Sequence, residues 1–136
     1  MEKEFVPYEQ ASELKELGFD EPCFGYYIGG DWDHDEYDMT LQFEIDLSKG
    51  NYLLDDKKCT APTYSQAFKW FREKHRLYHS ITREIGINTS DIFFVASFYK
   101  GKKGNSPKNT CISSKTYEEA ELECLKKLIQ ITNEKI

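Results

Sequence analysis

Basic side chains are scarce at the front of this chain. Residues 1–56 hold three against sixteen acidic ones, a net charge of −13. Residues 57–136 reverse the balance to +7, so the total of −6 conceals two blocks of opposite sign. These blocks read either as surfaces that complement each other or as two poles, one suited to a basic protein and one to a polyanion. Long apolar runs are missing too. No stretch approaches the ~20 residues that cross a bilayer, and the start, Met1-Glu-Lys-Glu4, has no basic-then-apolar export pattern. A cytoplasmic protein with no membrane partner is expected.

Closely spaced cysteines are also lacking. Cys23, Cys59, Cys111 and Cys124 form no CxxC pair, so they read as thiols of a reducing compartment, with Cys124 in the core. His75 and His79 are four apart but no HExxH motif encloses them. The glycines and lysines from Gly101 to Ser106 resemble a phosphate loop only superficially, because no Gly-Lys-Ser/Thr closes them before a helix. Asp31-Trp-Asp-His-Asp35 gathers three carboxylates and an imidazole. It departs from the calcium-loop pattern, with Glu36 where glycine turns the chain and Gln42 where a glutamate closes the site. It reads as a solvated acidic loop. No catalytic residue, metal site or cofactor is expected, and the protein is read as a non-enzyme.

What the chain does have is aromatic: Phe, Tyr and Trp make up 15% of its 136 residues, enough to carry the packing of a single domain over 1–136. The spacing predicts helices over 7–17, 64–75 and 116–134. Gly18 is placed to stop the first, and Phe19 to fold back over its end. Thr63 with Gln66, and Thr116 with Glu119, are capping boxes for the other two. Tyr117, Ala120, Cys124, Leu128 and Ile131 form the stripe of the last, widened by Leu125 and Ile129. Each helix opens with the same Tyr-x-x-Ala step, at Tyr8, Tyr64 and Tyr117. The small alanine lets the helix approach a sheet closely.

Strands are expected over 23–28, 39–47, 77–85 and 92–99, with a short one at 52–54 and an edge strand finishing at 111–113. The 39–47 segment alternates strictly. The 92–99 segment is apolar on both faces, as a central strand would be. The class is α+β, an antiparallel sheet with three helices mainly on one face, in the order α-β-β-(β)-α-β-β-α.

Two groups of residues are candidates for contact with other molecules. Tyr26, Tyr27, Trp32 and Tyr37 crowd an acidic region, and such rings anchor protein interfaces, with a second copy or with a different protein. Lys100, Lys102, Lys103 and Lys108 follow Phe98 and Tyr99, a basic segment behind rings that could stack on nucleic-acid bases. A small enzyme with an unrecognised site is the third alternative.

The phrases Phe5-Val-Pro-Tyr-Glu-Gln-Ala11, Leu14-Lys-Glu-Leu-Gly-Phe-Asp-Glu-Pro-Cys-Phe-Gly-Tyr-Tyr27, Ala61-Pro-Thr-Tyr-Ser-Gln-Ala-Phe-Lys-Trp-Phe-Arg-Glu-Lys74 and Tyr117-Glu-Glu-Ala-Glu-Leu-Glu-Cys-Leu-Lys-Lys-Leu-Ile129 resemble a family of small uncharacterised proteins of Bacteroides-type gut bacteria and their phages or prophages. The resemblance covers the three helices and the first strand. It implies a mobile-element setting and favours an accessory or protein-interaction role over metabolic catalysis.

Overall fold

A computed structural model describes residues 4–29, 39–43, 58–87, 91–100 and 108–134. Within them the protein is α+β, with three helices and two antiparallel three-stranded sheets. The elements are α1 (Tyr8–Glu16), β1 (Gly25–Gly29), β2 (Met39–Phe43), β3 (Lys58–Ala61), α2 (Tyr64–His75), β4 (Leu77–Ile85), β5 (Ile92–Lys100), β6 (Lys108–Ser114) and α3 (Tyr117–Glu134). A strand not expected from the sequence, β3, lies in a segment that the sequence reads as the approach to α2. The 52–54 strand, the 44–47 end of the alternating strand and the acidic loop over 30–38 lie outside the described residues. The chain divides into two compact units, Met1–Gln66 and Ala67–Ile136, with the division inside α2.

In the first unit β1 is central, in the order β2-β1-β3. Its α1 helix ends in a full Schellman motif. The Phe19 N–H donates to the Leu14 carbonyl at 2.9 Å and the Gly18 N–H to the Lys15 carbonyl at 3.1 Å. Gly18 has φ +99°, a conformation that a side chain would strain. Phe19 and Leu14 are both buried beneath this turn. Tyr27 and Cys59 stand opposite each other on one face of the sheet, and Tyr8 of α1 meets the Tyr27 ring edge-on at 5.7 Å.

The start of α2 is a reciprocal capping box. The Gln66 N–H donates to Thr63 Oγ1 at 3.2 Å, and the Thr63 N–H to Gln66 Oε1 at 3.0 Å. Gln66 Nε2 also donates to the Pro22 carbonyl at 3.2 Å, tying the helix start to the approach of β1. The helix ends without glycine: Arg76, between α2 and β4, adopts φ +54°.

The second unit is a meander, β4-β5-β6, with β5 central as the two-faced pattern predicts. Ala96 and Phe98 are buried, and Phe94, on the same face, meets Tyr117 of α3 edge-on at 5.9 Å. Alternation puts Phe93, Val95, Ser97 and Tyr99 on the other face, where they stay half-buried.

The cap of α3 differs slightly from expectation. The Glu119 N–H donates to Thr116 Oγ1 at 3.1 Å, but the carboxylate accepts from the Lys115 N–H, one residue before the cap, at 3.3 Å. The buried stripe also drifts. It runs through Ala120, Cys124, Leu125, Leu128, Ile129 and Thr132, leaving Tyr117 exposed and Ile131 half-buried. An average step of 3.5 falls behind the 3.6-residue turn of a straight helix, so the buried face shifts toward 125, 129 and 132 by the last turns.

Candidate interaction surface

The β4–β5 hairpin extends past the first turn of α3. Phe94 of β5 meets the helix start through Tyr117. One step further out on the same face, Ile85 and Ile92 stand opposite each other, and Gly86 closes the hairpin by donating to the Asp91 carbonyl at 2.9 Å. Ile85 is 60% exposed, Ile92 47%, Tyr117 44%, and Ile87, in the turn, 99%. Three isoleucines and a tyrosine ring therefore meet solvent at one end of the second unit. Isolated exposed apolar residues are ordinary, but several gathered at one end of a hairpin are a mark of contact with another chain.

The sheet face away from α3 is quieter. Tyr78 is exposed, and the Tyr99 hydroxyl lies 3.5 Å from Ser80 Oγ, so that ring is held by its own sheet. Beside α3, by contrast, a shallow depression of about 360 Å³ is lined by Phe93, Ser113, Ser114, Lys115, Glu119 and Glu123. Its two carboxylates are engaged in α3, Glu119 with the Lys115 N–H and Glu123 with Lys126 Nζ at 3.3 Å.

Cys23, Cys59, Cys124, His75 and His79 serve as packing groups. Burial pushes the Cys23 thiol up to about 12, Cys59 to about 11 and Cys124 to about 12. Thiols held this firmly protonated are not nucleophiles at neutral pH. His79 stacks on Phe68 with ring centres 3.8 Å apart. Burial, aided by Arg72, lowers its pKa to about 4 and keeps the imidazole neutral. His75 packs edge-on against Trp70 at 4.7 Å. The two histidines sit on different elements, one on α2 and one on β4, and not on a shared helical face. Among the described residues no group of three or more His, Cys, Asp and Glu is placed to hold a metal ion.

The residues singled out from the sequence fare unequally. Tyr27 is buried, its hydroxyl donating to the Val6 carbonyl at 2.6 Å, which makes it a core residue and withdraws it from the expected aromatic interface. Tyr26 is half-buried on the opposite face of β1. Trp32 and Tyr37 lie outside the described residues. Lys100 ends β5 opposite Leu77 and Lys108 opens β6 opposite Phe98, while Lys102 and Lys103 lie outside. Phe98, one of the two rings expected to serve a nucleic acid, is buried in the core. The isoleucine group was missed, although a signal was present: Ile87 sits inside a turn, where polar residues and glycine are the rule. No family model, no curated protein and no solved structure matches this chain. In the described residues no helix is long and apolar enough to cross a membrane.

Proposed function

We propose that this protein is a non-enzymatic accessory protein that acts by binding another protein chain through its second unit, in the mobile-element setting that its family resemblance implies. The observation that carries this reading is the exposed group Ile85, Ile87, Ile92 and Tyr117. Burying it removes apolar surface from water, as at the centres of interfaces, with Arg83 beside it on the same face. The nucleic-acid alternative draws less support, since Phe98 is buried and Glu118 and Glu119 open α3 with negative charge.

The test is a photo-crosslinking residue at position 87 of the full chain, expressed where its gene naturally occurs, with exposed position 134 as control. A discrete protein adduct from position 87 and none from 134 is the expected result. Equal or absent labelling at the two positions would contradict the reading.

A further inference from the structure

The edge of β4 is built for pairing. It runs alongside β5 for nine consecutive residues without a shift in register, and among the described residues it pairs on that side only. The opposite edge strand, β6, is interrupted by an irregularity between Ala96 and Phe98. Bulges, prolines and lysines are the usual means of blunting an edge. β4 carries none of these, only Arg83 and Glu84 near its end.

The hairpin closure tells which groups face outward. The Gly86 N–H donates to the Asp91 carbonyl, so 86 and 91 form a hydrogen-bonded pair, and such pairs alternate along an antiparallel ladder. Tyr78, Ser80, Thr82 and Glu84 therefore turn their backbone groups to β5. Leu77, His79, Ile81, Arg83 and Ile85 turn theirs away, toward the free edge.

Resting on the reading that the second unit is the binding part, we propose that its partner is a second copy of this chain, joined β4 to β4 in antiparallel fashion about a two-fold axis at Ile81. This register sets every outward backbone group of one strand against an outward group of the other, and any displaced register leaves some unpaired. On the helix side it places Leu77 against Ile85 of the second copy, Ile81 against Ile81, and His79 against Arg83. On the other side Tyr78 meets Glu84 and Ser80 meets Thr82. No like charges oppose each other, which is the charge compatibility a self-pairing edge requires. His79, stacked on Phe68 and neutral, leaves Arg83 of the second copy without a facing cation. Ile85, exposed in the single chain, becomes covered. The product is a six-stranded sheet with the isoleucine tips flanking the junction.

Light scattering on the full chain is expected to give twice the 16.0 kDa chain mass. In a Cys111→Ser background, Ile81→Cys is expected to lock that dimer by a disulfide on mild oxidation, since hydrogen-bonded partners lie about 5.5 Å apart at Cα, within disulfide reach. Arg83→Cys is expected not to, its own copy being about four residues, roughly 13 Å, along the strand. Ile81→Lys should stay folded by circular dichroism and run as a monomer. A monomeric wild-type chain, or a dimer that Ile81→Cys fails to lock, overturns the proposal. A monomer whose position 87 crosslinks to a different protein overturns it and leaves the broader reading standing. Absence of both the dimer and the crosslink removes the two together.

Discussion

The two units use the same parts and finish them differently. Each seats a helix on a three-stranded antiparallel sheet whose middle strand carries core side chains: Tyr27 on β1, Ala96 and Phe98 on β5. In the first unit α1 is stopped by a glycine. In the second the hairpin strands are nine residues long, they pass the start of α3, and the preceding helix ends on a strained arginine. The second has more sheet than its helices cover. What remains over among the described residues, the unpaired edge of β4 and the isoleucine tip, is what the proposed binding rests on.

The largest expected effects come from the cores. Phe98→Ala should lower unfolding free energy by about 3–5 kcal/mol and Leu14→Ala by about 2–5 kcal/mol, both measured by denaturant titration. Hydrogen exchange on the same variants will show whether lost protection stays within the unit that carries the substitution. Caps come next. Thr63→Ala breaks a reciprocal pair of hydrogen bonds and should cost about 0.5–2 kcal/mol, with Thr116→Ala nearer the lower end because its cap is exposed.

The helix stops then separate the units by sign. Gly18→Ala should destabilise by about 1 kcal/mol, because it forces a Cβ into a positive-φ conformation. Arg76→Gly should stabilise by a similar amount, because it relieves that strain. Two shifts of thermal midpoint in the same direction would break the comparison.

The smallest effect is a dependence on pH. The unfolded chain protonates His79 near the ordinary value of ~6.5, while the folded chain holds it neutral down to about 4. The unfolded state thus binds more protons in that window. This contribution to stability is complete above ~6.5 and declines as pH falls toward 4. His79→Phe should flatten the thermal midpoint across that range relative to wild type, and an unchanged slope would assign it to other groups.

Much of this architecture was legible in the residues. The bounds of α2 follow from capping and periodicity, and Gly18 followed by an apolar residue announces the Schellman stop. Ala11, Ala67 and Ala120 are all buried, as the shared Tyr-x-x-Ala step predicts. Their tyrosines diverge, Tyr64 being buried and Tyr117 exposed, because what lies under a helix start depends on how far the sheet extends there. β3 was hidden because Lys-Cys-Thr-Ala is too short to show a period. Tyr27 was misplaced because a tyrosine that satisfies its hydroxyl on a backbone carbonyl looks, in sequence, like one that anchors an interface. The isoleucine tip needed the structure, since its exposure arises from the length of a hairpin against the start of a helix more than a hundred residues into the chain.

Residue-resolved amide exchange along β4 tests the central claim most directly. In a single chain the amides of Ser80, Thr82 and Glu84 should be protected by β5, while those of Ile81, Arg83 and Ile85 exchange quickly. Pairing of β4 with a second copy predicts slow exchange at all six, with the alternation returning in Ile81→Lys. Alternating protection in the wild-type chain, unchanged as its concentration rises, would contradict the account.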